Sequence, residues 1–221
     1  RESVCAEYVI PQVSQFTSTS NLHHIFEESH DPVFHKTKII NEMFRMADTP
    51  VVASYDCDIL LPLHLYKESQ DLILNDGVDV VYPFLKGNYN KQVKITDKIA
   101  TDFITNGFNF DLLDDHSYIY EWTAKWGFCQ FYNKESYFKG GGYNEQFKSY
   151  APEDQEIYHR LNTLGFNIKR IGSYVYHMFH TRNTKTWFHN QNPHTTENRA
   201  LWARIQEMDR DEMIEFFGLD L

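Results

Sequence analysis

Short β-branched runs alternate with helix-period runs through the first half of the chain, and that alternation restricts the fold more than any other feature. The stretches "VCAEYVIPQV", "LHHIFEE" and "PVVASYDCDIL" read as strands, while "HKTKIINEMFRMA" and "LPLHLYKESQDLILN" read as helices. Strands separated by helices need crossover connections, which predicts an α/β fold with a mixed, mostly parallel sheet flanked by helices. In the first long helix Ile39, Ile40, Met43 and Met46 recur at helical spacing, and Thr49-Pro50 ends it, because proline disfavours helix in the residue before it.

Further along, "DVVYPFLKGNYN" is a strand followed by a turn, and residues 88–120 form an irregular excursion with short helices. "WGFCQFYNKESYF" is a strand running into a helix start, and "KGGGYNEQF" is a glycine-rich turn. "EDQEIYHRLNTLGF" is a helix with Ile157, Leu161 and Leu164 on one face and Gly165 as its stop. "NIKRIGSYVYHMFHTR" is strand-like, and from Glu197 onward one or two polar amphipathic helices follow. A length of 221 residues suits one domain over 1–221.

Composition excludes some functions. A net charge of −10 argues against a nucleic-acid groove, which needs clustered Lys and Arg, so an anionic substrate would require a metal or a local cationic patch. Cys5, Cys57 and Cys129 are far apart and in apolar context, which predicts free buried thiols and a reducing compartment. With no apolar run near the roughly 20 residues of a membrane span, a soluble protein is expected, cytoplasmic or peripheral at a membrane.

Three groups of residues carry chemistry. In "VVASYDCDILLP" two acids, Asp56 and Asp58, end an apolar run; as residues i and i+2 of a strand they share a face at its C-terminal end. Converging carboxylates suit Mg²⁺ or Mn²⁺, although the pair alone also fits two solvated turn acids. Glu153 and Asp154 follow a glycine-rich turn (Gly140 to Gly142) and Pro152 at a helix start, where the dipole favours ionised acids; they fit a general base or ordinary helix-start acids. In "HMFHTR", His177 and His180 read as one metal ligand with one structural histidine.

Together these stretches resemble the GT-A glycosyltransferases that use nucleotide sugars, and within them the β-1,4-galactosyltransferase-like group and its bacterial polysaccharide-synthesising relatives. The likeness runs over roughly residues 30–182. It implies that Asp58 binds the Mn²⁺ or Mg²⁺ that holds the UDP pyrophosphate, and that Asp56 contacts the ribose or the metal's water shell, with Lys36 on the same nucleotide side. It places the family's metal-binding histidine on His180 and its companion ligand, a Met in the animal enzymes, on His177. It makes Asp154 the base that takes the acceptor's proton and Glu153 the residue that orients sugar hydroxyls. Trp126 and Gly127 fall on an acceptor-facing loop, and Gly141 and Gly142 on the turn beside the substrate. The nucleotide and metal half would then be about 1–85 and the acceptor half about 120–190. "EYVIPQ" resembles the family's second strand better than its first, so the first strand is expected to be absent from the chain.

The implied activity is metal-dependent, inverting transfer of a sugar from a UDP-sugar to a hydroxyl of a saccharide or glycoconjugate acceptor. The alternative is a non-catalytic sugar- or nucleotide-binding module. Glycoside hydrolysis fits less well, because adjacent acids suit a metal better than an acid and a nucleophile about 5 Å apart.

Overall fold

The computed structural model describes residues 7, 10–14, 23–26, 28, 33–86, 89–119, 126–180 and 192–221. The chain divides into two units, Arg1–Phe34 and His35–Leu221. In the first, the expected strand "VCAEYVIPQV" is helical where described: α1 (Ile10–Val13) is a single turn closed by the Ser14 N–H on the Ile10 carbonyl at 2.9 Å. Pro11 explains the change, since its fixed φ and missing N–H suit a first helical turn and weaken a strand ladder. The described residues of "LHHIFEE", His23–Phe26 and Glu28, carry no strand; Cys5 lies outside the described residues.

Among the described residues, the second unit holds two four-stranded sheets. One has the order β1 (Val51–Tyr55), β6 (Cys129–Asn133), β3 (Val80–Tyr82), β7 (Ile168–Arg170). The other has the order β2 (Ile59–Leu60), β8 (Val175–Met178), β4 (Asn90–Val93), β5 (Ser117–Ile119). Helices α2 (Lys36–Met46), α3 (His64–Asn75), α4 (Asp97–Thr105), α5 (Asp111–Asp114), α6 (Lys134–Lys139) and α7 (Glu153–Thr163) accompany them, and α8 (Thr195–Gln206) and α9 (Arg210–Phe217) follow. The α/β fold with mixed sheets and helices is as expected. The direction of pairing differs: among the described residues β3–β7 and β4–β8 are parallel, whereas β1–β6, β3–β6, β2–β8 and β4–β5 are antiparallel. Strand β6, arriving after the excursion, inserts between β1 and β3 and reverses the sense on both sides.

The main core lies on the inner strands, where Val81, Tyr82, Cys129 and Tyr132 are fully enclosed. In α2 the buried residues are Thr37, Asn41 and Phe44, whereas Ile39, Met43 and Met46 are exposed. The sequence pattern pointed to the other stripe. Asn41 turns inward because it is fully used there: its Nδ2 donates to the Tyr143 carbonyl at 2.9 Å, and its Oδ1 accepts from the Tyr143 N–H at 2.9 Å and the Tyr137 hydroxyl at 2.5 Å. Helix α7 buries Ile157 and Leu161, with Leu164 buried just beyond it, and Gly165 follows at φ +88°, as read from the sequence. The C-terminal helices cap this unit: Ile205 and Met213 are enclosed against Phe147 and Leu164. Cys129 is buried as expected, but Cys57 is exposed, because strand β1 ends at Tyr55 and Cys57 sits in the turn that follows.

Candidate active site

The two acids of "DCD" lie in that turn. The Ile59 N–H donates to the Asp56 carbonyl at 3.1 Å, and the Asp56 N–H donates to the Phe128 carbonyl at 2.9 Å. A turn, unlike a strand, lets neighbouring acids take different partners, and these do. Asp58 Oδ2 lies 2.9 Å from His180 Nε2 and 3.3 Å from His177 Nε2. One oxygen or nitrogen from each of Asp58, His177 and His180 falls within 4.8 Å of the others. Bonds of about 2.0–2.4 Å to a shared ion bring ligand atoms to roughly 4–5 Å or less from one another, so these three groups fit a divalent cation. Two imidazoles and a carboxylate form a donor set that suits first-row divalent metals. His177 is buried, and its Nε2 faces Asp58. Thr181 and Arg182 of "HMFHTR" lie outside the described residues.

Asp56 faces a second group. Burial lifts its carboxyl to about 6; Lys36 opposes that rise, while Asp154 and Asp58 add to it. Lys36 Nζ donates to Glu153 Oε1 at 3.0 Å and to Asp154 Oδ2 at 3.4 Å. Burial alone would lower the Lys36 pKa, but Asp154, Glu153 and Asp56 outweigh it and keep the ammonium charged. Here is the cation that the buried acids of the sequence require. Burial, helped by Asp154 and opposed by Lys36, pushes Glu153 up to about 7. Its Oε2 is buried with no hydrogen-bond partner among the described residues.

Asp154 is positioned from several sides. The enclosed Tyr143 hydroxyl donates to its Oδ1 at 2.8 Å, and burial raises that phenol so far that it stays protonated. A Cβ at Gly127 would stand 3.0 Å from Asp154 Oδ2, so a side chain there would crowd this carboxylate. Trp126 is held by its carbonyl, which accepts from Gln130 Nε2. Phe128 adopts φ 78°, unfavourable for a side chain this large, and its ring lies 5.4 Å from that of His177. Thus "WGF" connects both groups, supporting His177 on one side and approaching Asp154 on the other.

The glycine-rich turn packs against the rest of this unit. Gly142 is buried against Asn41 and Tyr137, and Gly141 backs onto Arg160 and Leu219. Arg160 and Glu156, both fully buried, lock this turn: Arg160 Nε meets Glu156 Oε1 at 2.6 Å, Nη2 meets the Gly142 carbonyl at 2.5 Å, and Nη1 donates to the Gly140 carbonyl. These glycines support Tyr143 and, through it, Asp154. Sequence reasoning missed Asn41, Tyr143 and Arg160; the available signal was a polar residue at the i+4 position of a helix face that also carries Thr37 and Phe44.

Residues 111–183 match the model of the family described as the N-terminal domain of galactosyltransferase. No curated protein matches the chain. Among solved structures, the catalytic domain of Drosophila β1,4-galactosyltransferase 7 in complex with xylobiose is 20% identical, with a TM-score of 0.42 over 86% of this chain and 72% of that one. A mutant of that enzyme in complex with manganese, UDP-Gal and xylobiose is 19% identical, with a TM-score of 0.40 over 84% and 71%. Trp126, Gly127, Glu153, Asp154, His177 and His180 all lie within the region matched by the family model, and over that region the chain is similar to galactosyltransferases, as its GT-A resemblance implied.

Proposed function

We propose that the chain is a metal-dependent, inverting glycosyltransferase that moves a sugar from a UDP-sugar to a hydroxyl of a saccharide acceptor. The observation that carries this reading is the convergence of Asp58, His177 and His180, with Asp56 close enough to feel both Asp58 and the Lys36, Asp154 group. Asp58, His177 and His180 would hold Mn²⁺ or Mg²⁺. Bound there, the ion supplies positive charge against the diphosphate of the leaving nucleotide.

The chain's own residues do the rest. Asp154 accepts the proton of the acceptor hydroxyl as its oxygen bonds to the anomeric carbon and the bond from that carbon to the UDP oxygen breaks. Tyr143 fixes Oδ1, and Lys36 donates to Oδ2, the oxygen turned toward Gly127. Glu153 Oε2 offers an unused acceptor for a sugar hydroxyl. Trp126, next in the chain to Gly127, would belong to the acceptor side.

Calorimetry with UDP, with and without Mn²⁺, and a transfer assay over a panel of UDP-sugars test this reading. Asp58→Ala should lose the Mn²⁺-dependent part of UDP binding, and Asp154→Asn should lower transfer by about 10²- to 10⁴-fold with UDP binding retained. Binding of UDP with neither transfer nor release of UDP from any UDP-sugar would identify a binding module instead.

A further inference from the structure

The register of the second sheet aligns Ile59, His177, Gln92 and Tyr118 in one row across β2, β8, β4 and β5. Row neighbours share a face, so three polar side chains meet at the back of the candidate ion site. The Tyr118 hydroxyl donates to Gln92 Oε1 at 2.5 Å, and Gln92 Nε2 lies 3.5 Å from His177 Nδ1. Gln92 and His177 are buried, and the Phe128 ring lies against the imidazole, limiting its rotation.

An imidazole can bind an ion through Nε2 only if its proton sits on Nδ1, and a buried Nδ1–H needs an acceptor. A primary amide can face that nitrogen with either end. With its NH₂ toward Nδ1, the His177 proton sits on Nε2 and is donated to Asp58, as suits the ion-free protein. With Oε1 toward Nδ1, Gln92 accepts the Nδ1 proton, its NH₂ donates to the Tyr118 oxygen, and Nε2 is left with a lone pair directed at Asp58. Both arrangements use the same atoms and leave no amide group unpaired.

We propose that Gln92, backed by Tyr118, is the positioning residue that sets the His177 tautomer and thereby makes His177 an Nε2 ligand of the divalent ion shared with Asp58 and His180. This rests on the ion site of the proposed function but not on the transfer reaction. The test is Mn²⁺ binding to the nucleotide-free protein, read by the electron paramagnetic resonance signal of unbound Mn²⁺. Gln92→Leu should weaken Mn²⁺ about 10- to 100-fold, the usual effect of removing a ligand's supporting group. Gln92→Glu, which keeps the size and supplies a permanent acceptor, should bind Mn²⁺ at least as well as the wild type, and Tyr118→Phe should lose only a few-fold. Equal weakening in Gln92→Leu and Gln92→Glu would show a merely structural position and overturn the proposal. So would wild-type binding in Gln92→Leu or in His177→Ala. Should Gln92→Leu fail to fold, the comparison of Gln92→Glu with Tyr118→Phe still decides: binding at least as tight as wild type in the first and weaker than wild type in the second supports the proposal, and any other result refutes it. Absence of sugar transfer by the wild type, with the Mn²⁺ affinities as expected, would count against the glycosyltransferase reading alone.

Discussion

Replacing Arg160 with Met tests whether the buried Arg160–Glu156 pair holds the frame of the site. Methionine keeps much of the stem volume but removes every hydrogen bond of the guanidinium. It strands the Glu156 carboxylate at full burial and frees the Gly140 and Gly142 carbonyls. Breaking one side of a buried pair costs about 3–5 kcal/mol, because the remaining charge stays desolvated without compensation. That is a large share of the 5–15 kcal/mol typical of a domain. In urea, with a slope of about 2 kcal/mol/M, the unfolding midpoint should fall by roughly 1.5–2.5 M. The double variant Arg160→Met, Glu156→Leu should recover most of the loss, since apolar replacement of both partners is often nearly neutral. It should still fall short of wild type through the two glycine carbonyls and the lost stacking on Phe217, whose ring centre lies 4.4 Å from the guanidinium carbon. A loss below 1 kcal/mol in the single variant, or a double variant as unstable as the single, would refute this reasoning.

Tyr143→Phe removes only the hydroxyl that holds Asp154 Oδ1, so the acceptor-dependent kcat should drop about 10-fold while UDP affinity stays within two-fold; unchanged kcat would deny Tyr143 a positioning role. Glu153 has a folded pKa raised to about 7 from 4.5, so the folded state binds more protons and stability falls as pH rises through that window. Glu153→Gln should therefore gain roughly 1–3 kcal/mol over wild type at pH 8 and show little gain at pH 4, measured by urea unfolding without ligand. A gain that is the same at both pH values would mean that the carboxyl is not held neutral by the fold.

The residues of the candidate site were legible because local rules mark them. Two acids closing a β-branched run, two acids after Pro152 and a pair of histidines three apart each violate the apolar pattern around them, and the structure gathers them into two neighbouring groups. Their supports were not legible, because every one is non-local. Asn41 serves Tyr143 from over a hundred residues away, Gln92 meets His177 only through the pairing of β4 with β8, and Arg160 reaches back to Gly140. Strand direction failed for the same reason. The alternation of strands and helices in the first half implies parallel neighbours, and nothing local announces that Cys129–Asn133 will return between β1 and β3. In α2 Ile39, Met43 and Met46 point outward, since the buried face is set by the hydrogen bonds of Asn41 together with the packing of Phe44 and Ile40 on the core.

Diffraction from crystals of the protein soaked in Mn²⁺, recorded near the manganese absorption edge, tests the ion site directly. One anomalous peak is expected, bonded at about 2.0–2.4 Å to a carboxylate oxygen of Asp58 and to Nε2 of His177 and of His180. A peak bonded to other residues, or none at these three in millimolar Mn²⁺, would contradict it.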